Sequence, residues 1–475
     1  MLSALLSLTL LTGGPVHGLP TSSPWLVGMS AVRLAKINHV IEQGISAGAY
    51  PGASVLIGRK GYAVLESGFG HLTWGRNSSP VVADRTIYDL ASLTKVIATT
   101  TAIMVLFDEG KVALDDPVSK FIPTFTGGAK NRVTVRMLLE HRSGLPPGRN
   151  LYRNAHTPQQ ARDQVISTPL SCDPGCYQYS DLGADMLGFI VEAAAHEPLN
   201  QFIAEKVYLP LGMYDTSFRP ADSLASRIAP TKTKNGDPAP GLVHDGNAFA
   251  LGSVAGHAGL FSTAADLGVF AQMMLNGGEY NGVRVIADST VRLFTARAAK
   301  TRALGWDTCD QEGSCGEYLS ERAYGHTGYT GTSIWIDPDR EMFVVLLTNR
   351  VYEPKVRRPA KVIADVRADL ADASALALED YGAGPLAMPI TFRADVEADW
   401  NRPYRRPVVA HVSNGSAKST SAAAKQSPTQ PTVTLKSTPA KAQPPKAAAA
   451  QGAKATTPAP KAVTKVATAS APAHR

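Results

Sequence analysis

Ser92 and Lys95 stand three residues apart at the mouth of a long apolar run, "DLASLTKVIATTTAIMVLFDEG", residues 89 to 110. In the first turn of a helix that spacing puts both side chains on one face. A serine hydroxyl is a weak nucleophile until a neighbouring base takes its proton, and a lysine kept neutral by its surroundings can be that base. The pair is therefore a candidate for acyl transfer through a serine ester. Alone, Ser-x-x-Lys carries little weight, because about two chance matches are expected in a chain of this length. Here it occurs once, at a helix start, where free N–H groups and the positive helix end favour an oxyanion.

Two further polar clusters border apolar elements. "GCYQYSDLGADMLGFIVE" sets Tyr179 and Asp181 in a turn before a helix, and "YGHTGYTGTSIWID" sets His326, Thr327 and Gly328 at the start of a strand. In this order and spacing the three clusters resemble the serine β-lactamase and penicillin-binding family. The resemblance is closest to its branch of class C enzymes, DD-peptidases and related esterases. The phrases "LLEHRSGLP" (138–146), "LPLGMYDTSF" (209–218) and "GHAGLFSTAADL" (256–267) add to it, and it extends over about residues 30–370.

The resemblance implies roles residue by residue. Ser92 would be the acylated nucleophile, Lys95 would take or relay its proton, and Tyr179 would share the acid-base work. His326-Thr327-Gly328 would line the substrate cleft in place of a Lys-Thr-Gly strand. The backbone N–H groups of Ser92 and Tyr329 would form the oxyanion hole. Two residues depart from the family pattern. Asp181 stands where an asparagine is usual, and an ionised carboxylate accepts hydrogen bonds but donates none. Its charge would also keep Lys95 protonated and shift weight to Tyr179. His326 replaces lysine, and a neutral histidine binds a substrate carboxylate less strongly. Both changes argue against efficient β-lactamase action.

The elements that must carry these residues are legible in outline. "GASVLIGRKGYAVLESGFG" (52–70) reads as a hairpin around "GRKG", and "GTSIWIDPDREMFVVLLTNR" as two strands joined at "DPDR". A helix from near Ser92 ends at Gly110, further helices fall in 130–300, and a last one covers roughly 356–378. Strands near both ends with helices between predict an α+β chain. Its antiparallel sheet would be flanked by helices, with a mainly helical subdomain, in the β-lactamase/transpeptidase-like fold that the resemblance implies.

Composition sets the remaining limits. The formal charge of +7 comes from the end of the chain: residues 406–475 hold ten Lys or Arg and no acid. The rest carries 37 basic against 40 acidic residues, which excludes a basic nucleic-acid binder. From about residue 407 the Ala/Pro/Lys/Thr-rich composition predicts a disordered tail, read first as a spacer and alternatively as a segment loosely associated with an anionic cell envelope through its lysines. Residues 1–18 read as a signal peptide lacking a basic start, 30–372 as the hydrolase domain and 373–406 as a connecting segment. No other stretch reads as a transmembrane anchor. Four cysteines in two local pairs, Cys172/Cys176 and Cys309/Cys315, suggest two short disulfides, and no cofactor or metal is expected. The resemblance, with the expected signal segment and the His-Thr-Gly triplet, implies an exported serine hydrolase acting on peptidoglycan-derived peptides as a DD-carboxypeptidase or amidase. The alternatives are a small-acyl esterase, a β-lactamase, or a non-catalytic wall-peptide-binding protein. His141 reads as structural, and His257 as a packed loop residue. His244, Asp245 and Asn247 read equally as a cleft cluster or a fixed loop.

Overall fold

The computed structural model describes residues 18–401 except 235–236, 300, 312, 381–386, 390 and 397–399. The expected signal segment, apart from Gly18, and the tail from residue 407 lie outside the described residues. The strand Gly52–Arg59 is buried along its whole length and turns at Lys60-Gly61 into Tyr62–Gly70. Both turn residues have positive φ, 50° and 89°, the geometry of a two-residue hairpin that matches strand twist. The "DPDR" turn likewise joins Ser333–Asp337 to Met342–Thr348.

The strand near the chain's start pairs with one from near its end, Ala53 opposite Thr348 through to Arg59 opposite Met342. The result is a six-stranded antiparallel sheet in the order 307–308, 324–327, 333–337, 342–348, 52–59, 62–70. Its central strands are buried on both faces, which explains their continuous apolar runs. Period-two alternation sends Val55, Ile57, Val344 and Leu346 to one core, with the helices Lys36–Ser46 and Pro359–Leu376. Leu56, Phe343, Val345 and Leu347 face the other core, with Ala264–Leu275 and the helical region beyond it.

The apolar run at Ser92 differs from a uniform helix. A 3-10 turn, Ala91–Leu93, leads into a π-helical segment, Lys95–Thr100, and then an α-helix, Thr101–Asp108, stopped by Gly110 at φ 68°. Wide turns of this kind recur at functional sites. Contrary to the sequence reading, residues 91–108 are long and apolar enough to cross a membrane by length and composition. They are mostly buried in this domain, because Val96, Ile97, Ile103, Met104 and Leu106 fill its helical core.

The segment 373–406 contains the end of the last helix, at Leu376, and Phe392, Ala394 and Trp400 are buried in the same core as that helix. Trp400 Nε1 donates to Asp365 at 2.8 Å. Both disulfides are local, Cys172–Cys176 and Cys309–Cys315. The second is buried in the core behind the sheet. Replacing Cys309 and Cys315 by serine is expected to lower stability by about 2 kcal/mol, the loop-closure value for so short a ring. A fall in the urea midpoint at constant slope checks this.

Candidate active site

The turn that carries Ser92 is held from below by Asp89. One carboxylate oxygen accepts from Ala91 N–H at 2.9 Å and the other from His244 N–H at 2.7 Å. Burial pushes this carboxyl up to about 6 in spite of those two donors. Ala91 takes φ 47°, a conformation costly for a residue with a side chain, and places Ser92 half-buried at the start of the helical run.

Lys95 is 4% exposed, and its Nζ spends three protons on three acceptors. These are Ser92 Oγ at 2.9 Å, Asp181 Oδ1 at 2.8 Å and the carbonyl of His257 at 3.2 Å. Burial works against its charge, but Tyr179 and Asp181 outweigh burial and raise its pKa above the ordinary lysine value. Lys95 therefore rests as an ammonium that donates to Ser92, not as a neutral lysine. Asp181, for its part, is held below the usual carboxylate range by Lys95 and His257, against the effect of burial.

Tyr179 and Asp181 reach this point because "LLEHRSGLP" forms a cradle for them. Gln178 N–H donates to His141 O at 2.8 Å, Ser180 N–H to His141 Nδ1 at 3.1 Å, and Asp181 N–H to Pro147 O at 2.9 Å. Ser180 Oγ donates to Pro146 O at 2.6 Å and caps the helix Asp181–Ala195. The His141 ring lies 4.4 Å from that of Tyr179, so the residue read as structural is also the shelf for the site tyrosine. Burial and the nearby cations Arg302 and Lys95 push His141 well below its ordinary pKa, which leaves it neutral. Arg302 faces the Tyr179 ring at 5.3 Å, and Lys95 Nζ lies 5.1 Å from its centroid.

The third cluster closes the site from the sheet edge. Thr330 Oγ1 donates to Asp89 O at 2.7 Å and Thr332 Oγ1 to Leu90 O at 2.9 Å, tying this loop to the residues just before Ser92. A Cβ on Gly328 would lie 2.0 Å from Thr332 Oγ1 and 2.4 Å from Leu90 O, so the close approach requires glycine. Buried Arg367 clamps the loop by donating to Gly328 O at 2.6 Å and Thr332 O at 2.7 Å. Tyr329 is exposed, with the guanidinium of Arg350 4.7 Å from its ring and the ring of His244 at 5.8 Å.

His326 is 2% exposed, and burial pushes its pKa down to about 4. It is a neutral ring 6.2 Å from that of Tyr179, and Thr327 is only partly exposed beside it. All eight expected residues thus fall on the elements that meet at Ser92. Sequence reasoning missed Asp89, Arg302, Arg350 and Arg367, and it undervalued His141 and His257. None of these has a local pattern that would have revealed it.

The chain is similar to known proteins over most of its described length. A protein-family model described as β-lactamase matches residues 37–368. A protein of Escherichia coli O157:H7 named "Putative D-alanyl-D-alanine carboxypeptidase" is 35% identical over 377 residues, covering 71% of this chain and 86% of that protein. Among solved structures, EstCE1, "a hydrolase with promiscuous acyltransferase activity", superposes with a TM-score of 0.57 at 24% identity, covering 71% of this chain and 99% of that one. A penicillin-binding protein homologue from Caulobacter crescentus gives 0.57 at 20% identity, with 71% and 99% covered. The match over residues 37–368 and the 35% identity to the Escherichia coli relative show that this chain belongs to the β-lactamase family, and the solved structures share its fold.

Proposed function

We propose that the protein is an exported serine hydrolase that forms an acyl-enzyme on Ser92 and cleaves peptidoglycan-derived peptides ending in D-alanine. The observation that carries this reading is the Lys95 ammonium, which holds Ser92 Oγ at 2.9 Å beside Tyr179. The similarity to relatives named for D-alanyl-D-alanine carboxypeptidase supports the substrate class and, with it, an extracytoplasmic location.

Each proton has a place in the mechanism. Ser92 Oγ attacks the carbonyl carbon of the scissile amide and gives up its proton to Tyr179 Oη, which acts as a phenolate paired with the Lys95 ammonium. Lys95 has no lone pair free and stabilises the negative charge formed. The N–H groups of Ser92 and Tyr329 receive the oxyanion. As the tetrahedral intermediate collapses, Tyr179 returns the proton to the leaving amine and the Ser92 ester remains. Water then attacks the ester by the reverse proton path and releases the shortened peptide. No step requires a metal or an organic cofactor.

The test is D-alanine release from a synthetic peptide ending in D-alanyl-D-alanine, with intact-mass detection of a penicillin adduct on wild type and Ser92→Ala. Release and an adduct confined to wild type support the reading. The enzyme-class alternative is an esterase, favoured by the neutral, buried His326, which leaves the triplet without a cation for a substrate carboxylate. Turnover of p-nitrophenyl esters and labelling by a fluorophosphonate, without D-alanine release, would establish that alternative instead.

A pH test bears on Lys95. Asp181 helps to raise its pKa, so Asp181→Asn should let that value fall. Deprotonation then occurs at lower pH, and the alkaline limb of Ser92 acylation should move downward. A pH series of fluorophosphonate labelling measures the limb in both proteins. An unmoved limb would detach Lys95 from the observed ionisation.

A further inference from the structure

The segment 256–260 runs along the nucleophile helix and is joined to it at three points. Thr99 Oγ1 donates to Gly256 O at 2.7 Å, Lys95 Nζ to His257 O at 3.2 Å, and Leu260 N–H to Thr94 Oγ1 at 3.1 Å. On its other side the segment presses on the helix Asp181–Ala195. A Cβ on Gly256 would lie 2.0 Å from Ala184 O, so only glycine lets His257 come so near.

His257 is 2% exposed, and both ring nitrogens face carboxylates. Nδ1 is 2.7 Å from Asp185 Oδ1 and Nε2 is 3.1 Å from Asp245 Oδ1. A neutral imidazole keeps one lone pair, and either tautomer would turn that lone pair onto a carboxylate oxygen. Only the imidazolium satisfies both contacts. Burial opposes the charge, but Asp185 and then Asp245 raise the ring's pKa well above its ordinary value. Asp245 also caps the helix Gly246–Ala250 by accepting from Asn247 and Ala248 N–H. The "LVHDGNA" cluster therefore fixes its own loop and reaches the site through one carboxylate.

We propose that His257 is the positioning residue of the Ser92–Lys95–Asp181 centre, locked as an imidazolium between Asp185 and Asp245 so that its carbonyl holds Lys95 and its charge adds to that of Lys95 in holding Asp181 as a carboxylate. The inference rests on Ser92 and Lys95 being the acylating pair. The charged groups facing His257 are Asp181 and Asp185 from one helix, Asp245 from the loop before the next, and Lys95 from the nucleophile helix. Asp89 and Lys232 act at one remove, through Asp245. Removing the positive ring takes away part of what holds the Asp181 pKa down, so Asp181 should protonate at higher pH.

The experiment has a direct and a kinetic arm, both on the full chain. In wild type labelled with 13C,15N-histidine, both His257 ring nitrogens are expected to stay protonated across the neutral range. A neutral tautomer at neutral pH overturns the proposal without any variant. In His257→Gln, the acidic limb of fluorophosphonate labelling at Ser92 is expected to move up by about one pH unit, a roughly tenfold loss of rate on that limb. Asp185→Asn, which keeps the side-chain shape, should bring the His257 titration toward neutrality, with the labelling rate falling as the ring loses its proton. A loss in His257→Gln that is equal at every pH would mark a merely structural histidine and overturn the positioning role alone. Failure of wild type to be labelled at Ser92 would overturn the acylation reading and the positioning role with it.

Discussion

Ser92→Ala is expected to reduce turnover about a millionfold while leaving the fold intact. The loss is large because, in the proposed mechanism, the Ser92 hydroxyl is the atom that bonds to the substrate. The fold should survive because Ser92 is only half-buried and its hydroxyl is one of three acceptors for Lys95. The ammonium keeps Asp181 and the His257 carbonyl, so no charge is left buried and unpaired. A change in stability within about 0.5 kcal/mol is therefore expected. The measurements are D-alanine release, the penicillin-adduct mass and the thermal midpoint. Retained wall-peptide binding beside a wild type that never turns over would favour a non-catalytic binding protein. Residual release by the alanine variant near the wild-type rate would sink Ser92 as nucleophile.

The second large effect is expected at Tyr179. Tyr179→Phe should slow acylation by about 10²- to 10⁴-fold, the usual worth of a positioned proton acceptor. The ring would stay where it is, because its supports act on its faces and edges: His141 at 4.4 Å, Arg302 at 5.3 Å and His326 at 6.2 Å. Only the phenolic oxygen would be lost. Single-turnover acylation of Ser92, followed by mass, separates this step from deacylation. If the phenylalanine variant acylates within a few-fold of wild type while Lys95→Met does not acylate at all, the proton acceptor is Lys95 and the assignment to Tyr179 is wrong. Lys95→Met would also strand Asp181, so its stability must be measured alongside. Because Asp181 is about one-third exposed, that cost is screened and smaller than for a fully buried charge.

Much of this was open to reading along the chain. The hairpin at "GRKG" and the strands around "DPDR" follow from alternation and turn residues, which act over a few positions. The Ser92–Lys95 spacing works for the same reason, since one helical turn suffices to bring the two side chains together. The composition break near residue 407 needed only counting. What could not be read was held by contacts between distant residues. The carbonyl that accepts a hydrogen bond from Lys95 is 162 positions away, and the clamp of Arg367 on Gly328 spans 39.

The sequence by itself determined which groups could react and which short elements would carry them, because spacing within a turn or strand is fixed by backbone geometry. The tertiary structure decided what charge those groups bear. Lys95 stays an ammonium in spite of burial because folding brings Tyr179 and Asp181 beside it, Asp181 at 2.8 Å. His326 is neutral because the sheet buries it, and His257 is ringed by acids because Gly256 lets it sink against Asp185. Protonation depends on burial and on neighbours in three dimensions, and neither is written in the local order of residues.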